Sequence, residues 1–283
     1  MIARHLIPFA LTLAFYAGLP VCAEAQSIQA PKAPAASPSS NDIRSIVSGG
    51  VLRVAISRFD IPPFHQHRAN GEIVGKEAEL AYQIAGALNV KVVFVDEAKT
   101  YDEVIQLVAA GRADIGLNAI AQNYSASVSV RFSEPYMTLR HALLYNRTMV
   151  AQEAAGGKPD DVLREFRGKI GIIADSPFVR FADRNFALAT IIEYPTWKEA
   201  VDGLRSQEVD VLYNNEFEVR RVLKDNPALH VHYGAAIMKD KLAFLAIAIC
   251  DSCTKLQEFI NFFIAQNNSM LSIKSLLAAN VAN

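Results

Sequence analysis

The sequence predicts an α/β fold of helix-covered parallel sheet, built as two similar units. Two observations carry this reading. Short apolar runs at Leu52–Ile56, Lys91–Val95 and Ala113–Leu117 read as strands, and helical patterns lie between them at Lys76–Leu88 and Tyr101–Ala110. In the first helix Leu80, Ile84 and Leu88 recur at steps of four on one face, and strand–helix alternation at these lengths makes a parallel sheet. The second observation is a repeat. Tyr101-Asp-Glu103 precedes Ile105, Val108, Asp114 and Asn118, and Trp197-Lys-Glu199 precedes Val201, Leu204, Asp210 and Asn214 at the same offsets.

Taken in order, Met1–Ala25 reads as an export signal. Leu6–Leu19 is almost unbroken apolar sequence, shorter than the roughly 20 residues of a bilayer span. Ala23 and Ala25 supply the small residues of a cleavage site, so the mature chain is expected to begin at Gln26 and to lie in the periplasm. Leu19-Pro20-Val21 fits a lipid-attachment motif before Cys22 poorly. Residues 26–44 read as a disordered tether, with Pro31, Pro34 and Pro38 among Ala, Ser and Lys. Asp42 is placed to cap a helical turn before the first strand.

Pro62-Pro63 takes residues 59–64 out of the sheet as a loop, and Ser133-Glu134-Pro135-Tyr136 closes the first unit. A connecting strand is expected from His141, then a short helix over Asp160–Arg167 and strands at Lys169–Ile173, Thr190–Glu193 and Val209–Tyr213. Helices are expected at Pro177–Leu188, behind Ser176, and at Trp197–Ser206, opened by the capping box Thr196/Glu199. Phe244–Ile249 reads as one buried strand, followed by a helix with Leu256, Phe259, Ile260, Phe263 and Ile264 inward and a last short helix at Met270–Ala279.

The chain's 283 residues carry 28 basic and 29 acidic side chains, and no basic stripe points to nucleic acid. No cofactor or metal is called for, and no cluster reads as catalytic. Cys250 and Cys253 are the two cysteines after the signal. An oxidising compartment favours a disulfide between them, while their two-residue spacing at a helix start also fits a redox pair or free thiols.

Candidate ligand contacts follow from parallel-sheet geometry, which puts ligands beyond the carboxyl ends of strands. Phe59 and Asp60 follow the first strand. Tyr101 opens the helix after the second, and Asn118 and Asn123 follow the third. Ser176 and Phe178 sit at a helix start that could receive an anion, and Asn215 ends a strand of the second unit. Each has a plainer alternative: a solvated loop for Asp60, sheet cover for Tyr101, turn duty for the asparagines.

Several stretches resemble the family 3 extracellular solute-binding proteins, the periplasmic amino-acid receptors of ABC importers. They are GGVLRVAISRFDIPPF (49–64), GEIVGKEAELAYQIAGALNVKVVFV (71–95), YDEVIQLVAAGRADIGLNAI (101–120), RFSEPY (131–136), GKIGIIADSPF (168–178) and EVDVLYNN (208–215). The resemblance implies the two-lobed periplasmic binding-protein fold, type II, with two crossover connections. The first lobe would be 45–140 with 236–283 returning to it, and the second 141–235. It also implies a monomer that closes on a small polar solute and presents it to an inner-membrane ABC permease. Departures concern the ligand. The family's carboxylate-binding arginine falls at Ala126, a hydroxyl position falls at Ala121, its ammonium-binding aspartate falls at Asn215, and Asp175 stands where a glycine is expected beside Ser176. The ligand is therefore expected not to be a standard α-amino acid, unless Arg131, Arg180 or Arg184 reaches the cleft. Alternative roles are a sensor or accessory module, and an enzyme like the periplasmic dehydratase of the same fold. For the enzyme the candidate groups are Asp60, Glu79, Asp175 and Glu216, with His65 and His67 nearby.

Overall fold

The computed structural model describes residues 42–154, 163, 165–174, 176–267 and 271–278. The signal, most of the tether, most of the expected Asp160–Arg167 helix and Asp175 lie outside the described residues.

Helix α1 (Ile43–Gly49) opens with Asp42 Oδ1 accepting from the Ile43 amide at 2.8 Å. Strand β1 (Val51–Ser57) follows, then the small hairpin β2 (Gln66–His67) and β3 (Ile73–Val74), helix α2 (Lys76–Ala87), strand β4 (Lys91–Ala98), helix α3 (Tyr101–Ala109) and the two-residue strand β5 (Ile115–Gly116). A 3-10 turn at Ala126–Val128 leads to β6 (Val130–Phe132) and the long strand β7 (Met137–Asn146). The second lobe holds α4 (Arg147–Ala154), β8 (Lys169–Ile173), α5 (Pro177–Asn185), β9 (Thr190–Tyr194), α6 (Trp197–Arg205), β10 (Val211–Asn215) and α7 (Glu216–Asp225). Strand β11 (Tyr233–Leu245) returns to the first lobe, where β12 (Ala248–Cys250), α8 (Thr254–Gln266) and α9 (Ile273–Ala278) complete the described chain.

The first sheet runs β4-β1-β5-β12-β6 and the second β11-β7-β10-β8-β9. Each has three adjacent parallel strands extended through two antiparallel pairings, so that β12 in the first sheet and β7 in the second run against the other four, and the expectation of a parallel sheet is corrected to a mixed one. The antiparallel additions are strands of the crossovers and of the returning tail, which the periodicity of the repeat does not reveal. The run Phe244–Ile249 is also not one strand: it splits between β11 and β12, and Phe244 is 41% exposed.

The repeat has a concrete structural content. Asp114 Oδ2 accepts the Arg53 amide at 2.7 Å, and Asp210 Oδ2 accepts the Lys169 amide at 2.9 Å. Each aspartate thus satisfies a backbone donor at the start of the neighbouring parallel strand. Thr100 and Thr196 cap α3 and α6 in the same way, accepting from Glu103 and Glu199. In the second sheet alternate residues of β10 serve opposite faces: Leu212 packs with Ala142, Leu204 and Val222, while Val211 and Tyr213 pack with Ile170, Ile172 and Phe186. The first core gathers Leu52, Val54, Ile84, Ile115, Leu256 and Ile260. Phe217 of α7 joins this first core, facing Phe64 with ring centroids 6.3 Å apart.

The two crossovers pair with each other. β7 and β11 are antiparallel from Tyr233↔Asn146 to Leu245↔Met137. The ladder is broken between Ile237 and Leu242, where β11 spends extra residues opposite the step from Ala142 to Arg140. Cys250 and Cys253 form a disulfide joining the end of β12 to the start of α8, with Cα atoms 5.3 Å apart.

Candidate functional site

A cavity of about 430 Å³ lies where the carboxyl ends of both sheets' parallel strands meet. From the first lobe it takes Phe59–Pro62 and Phe64 after β1, Lys99–Tyr101 before and at the start of α3, and Ala119 and Ala121 after β5. The second lobe contributes Ser176–Phe178 and Phe181 around the start of α5, Pro195–Trp197 before α6, and Asn214, Asn215, Glu218 and Arg221 at β10 and α7. The paired crossovers supply Leu139, Ala243 and Leu245 as the floor.

Six of the eight residues expected from sequence line this cavity: Phe59, Asp60, Tyr101, Ser176, Phe178 and Asn215. Asn118 and Asn123 do not. Asn118 is wholly buried beneath the cleft and its Oδ1 accepts the Ser57 amide at 3.0 Å. Asn123 organises its own turn, accepting from Ala126 at 2.8 Å and donating to Ala121 at 3.2 Å. Those bonds are the reason both are corrected: their polar groups hold backbone in place.

Several lining residues are also engaged. Asp60 accepts from the backbone amide and Nδ1 of His67, at 2.9 and 2.8 Å. Partial burial raises its pKa, but the His67 bonds outweigh this and hold it below the ordinary carboxylate value. Asn215 caps α7 by accepting the Glu218 amide at 3.0 Å. Ser176 donates to the Ile173 carbonyl at 2.7 Å and does not cap α5. The amides at the start of α5 are therefore not covered by its own side chain, unlike those of α3, α6 and α7.

The aromatic wall comes from both lobes. Phe59 and Tyr101 lie 5.6 Å apart on one side, and Phe178 and Phe181 meet edge to face at 5.8 Å on the other. Burial raises the Tyr101 phenol's pKa, with Glu77 and Glu218 adding to the effect.

Sequence reasoning missed Glu218 and Arg221. Arg221 donates from Nη2 and Nε to the same oxygen, Oε2 of Glu218, at 2.6 and 3.3 Å. Burial raises the Glu218 pKa, and Arg221 offsets part of that rise. The signal that could have found the pair is Asn215 followed three residues on by Glu218, an N-cap pattern that aims the first turn of α7 at the strand end. None of the arginines considered from sequence lines the cleft: Arg131 donates to the Asp251 carbonyl beside the disulfide, Arg184 lies 5.6 Å over the Phe181 ring, and Arg180 is outside the lining. Ala126 sits on its 3-10 turn, also outside it.

Of the candidate acid–base groups among the described residues, only Asp60 lines the cleft, where it is paired with His67; the others stand away from it. Glu79 pairs with Lys76 on the exposed side of α2, at 2.7 Å. Glu216 is buried at the crossover, where it accepts the Arg140 amide at 3.0 Å. His65 lies wholly buried between Ser57 and Glu77. Among the described residues no group of three or more metal-ligating side chains comes together, and no helix is long and apolar enough to cross a membrane.

Two helix-covered lobes, one cavity between their strand ends and two paired crossovers make up a two-lobed α/β architecture. Residues 52–150 match the family described as Bacterial extracellular solute-binding proteins, family 3, which bears out the resemblance read in the sequence. A curated Escherichia coli (strain K12) protein, provisionally named ABC transporter arginine-binding protein 2, is 24% identical over 201 residues, covering 71% of this chain and 78% of that protein. Among solved structures, an ancestral cationic amino acid solute-binding protein is similar with a TM-score of 0.65 and 22% identity, over 83% of this chain and 97% of the other. An amino acid ABC transporter substrate-binding protein of Streptococcus pneumoniae, bound to L-arginine, is similar with a TM-score of 0.63 and 22% identity, over 85% and 100%.

Proposed function

We propose that this chain is an exported, monomeric periplasmic receptor that closes its two lobes on a small polar solute and presents it to an inner-membrane ABC permease. The observation that carries the reading is the cavity bounded by both lobes and floored by the crossovers, because a ligand held there bridges the lobes and favours their approach. The family match and the transporter components among the relatives support the permease. Among the described residues Asp60 is the one candidate acid–base group in the lining and its bonds go to His67, which supports binding over turnover.

The ligand we propose is neutral overall and not a standard α-amino acid. The lining charges are Asp60, Lys99, Glu218 and Arg221, which balance. Ala126 offers no guanidinium, and the Asn215 carbonyl oxygen is occupied as a cap. A buried carboxylate or ammonium is costly without a matched partner. Thermal-shift screening of the mature chain against amino acids, sugars, polyols, organic acids and amines, followed by calorimetry, tests this. A neutral polar solute is expected to raise the melting temperature. Submicromolar binding of a standard amino acid would overturn the ligand assignment, and failure of every class would overturn the receptor reading.

A further inference from the structure

The Glu218–Arg221 pair is unusual in how it spends its bonding capacity. A guanidinium and a carboxylate usually meet edge to edge through two oxygens. Here both donating nitrogens go to Oε2, so Oε1 of Glu218 and Nη1 of Arg221 have no hydrogen-bond partner among the described residues. Both side chains stand in the cleft wall, 13% and 26% exposed. The pair thereby keeps an unused acceptor, Oε1, and unused N–H donors, chiefly those of Nη1, on neighbouring groups whose charges already cancel.

Resting on the receptor reading above, we propose that this free edge is the ligand's polar anchor, and that it selects a neutral group with a carbonyl beside an N–H. A primary carboxamide, lactam or cyclic urea has that pattern. Its carbonyl accepts from Nη1 and its N–H donates to Oε1. A lone carboxylate reaching Nη1 is repelled by Glu218, and a lone ammonium reaching Oε1 is repelled by Arg221. A zwitterion matches both signs, but it must shed the hydration of two full charges to meet a pair that has already satisfied itself. The rest of the molecule is expected to be flat and apolar. Phe59 and Tyr101 face it from one lobe, Phe178 and Phe181 from the other, and Trp197 closes the wall.

Calorimetry on the purified mature chain tests this with probes of matched size: benzamide and uracil against benzoate, benzylamine and L-phenylalanine. An amide probe is expected to bind at least about tenfold tighter than any charged one. The double variant Glu218→Met/Arg221→Met replaces the pair with apolar groups of similar length, a change that buried pairs tolerate. It is expected to keep its melting temperature and lose amide binding by about 30-fold. Should it not fold, Arg221→Lys keeps the charge, removes the Nη1 edge and is expected to lose about tenfold. Tightest binding by benzoate, benzylamine or phenylalanine would overturn the anchor, as would unchanged amide affinity in a folded variant. If no amide binds while another solute does, the anchor fails and the receptor reading stands. If nothing in either screen binds, both fail.

Discussion

The hydroxyl of Tyr213 on β10 is hydrogen-bonded to Nδ1 of His141 on β7 and accepts from Asn185 Nδ2 at 2.9 Å. The other ring nitrogen of His141, Nε2, is buried without a partner among the described residues. Phe178 and Phe181 cover the ring at 5.2 and 4.7 Å between centroids. Burial, with the Lys241 charge adding to it, lowers the His141 pKa to about 4.

A pH dependence of stability is expected from this. The histidine's pKa is lower folded than unfolded, so between about 6.5 and about 4 the unfolded chain takes up a proton that the folded chain refuses. Its contribution is fully present above pH 6.5 and is lost as pH falls toward 4, up to about 3 kcal/mol. Urea denaturation at pH 7 and pH 4.5 measures it. His141→Gln should lose less stability over that interval than the unsubstituted protein, and an identical loss in both would exclude the assignment.

Glu77 is wholly buried and accepts from the Ala119 amide at 2.7 Å and from the Tyr136 hydroxyl. It thus ties the start of α2 to the loop after β5 and to the residue before the first crossover. Glu77→Leu leaves two buried donors without acceptors and is expected to cost about 3 kcal/mol, lowering the melting temperature by about 6–12 °C. Glu77→Gln keeps an acceptor and should lose clearly less. Equal melting temperatures for the two variants would count against a bonding role.

Gly75 has φ of +120°, and a Cβ built there would lie 2.4 Å from the Phe64 carbonyl oxygen. The obstruction is backbone, so it cannot rotate away. Gly75→Ala is expected to cost more than about 2 kcal/mol and to displace the 59–64 loop from the cleft wall. Calorimetry should therefore show weaker solute binding even at temperatures where the variant is folded; unchanged affinity and stability would contradict this.

The Cys250–Cys253 disulfide closes a very short loop. Chain entropy then gives it only about 2 kcal/mol. Thiol titration of the unfolded, unreduced mature chain should find no free thiol, and reduction should lower the melting temperature by a few degrees without abolishing solute binding. Two titratable thiols before reduction would refute the first expectation.

The lobes were legible because their signals are local and repeated. Apolar runs, helical steps of four and the paired Asp114 and Asp210 all act over short stretches of chain. The crossover ribbon was only partly legible. His141 opens an apolar run that reads as a strand, but β11 passes through Lys239-Asp-Lys241, which has no strand periodicity. The cleft was legible to the extent that strand ends predict it. Phe59 and Tyr101 come just after strands and Asn215 ends one, whereas Glu218 and Arg221 sit among charges on several faces of Glu216–Asp225. Which of those charges turns toward the cavity depends on how α7 leans on the first lobe through Phe217, a tertiary contact without a local trace. Asn123 misled for the opposite reason: its turn bonds are local, and the plainer alternative was the operative one.

The broken ladder between Ile237 and Leu242 bears on how the protein can move. A continuous two-stranded ribbon resists twisting and bending along its whole length, whereas missing rungs concentrate compliance at one level. Here that level is the Met238–Lys241 excursion, opposite His141. The lobes should therefore swing as rigid arms about a narrow pivot, and amide exchange at 238–241 should stay fast while the flanking rungs remain protected. A pivot so placed puts the His141 ring, and the aromatic wall resting on it, near the axis, where a given rotation displaces atoms least. The cavity floor would then hold its shape through the swing, and the outer rim would do most of the travelling.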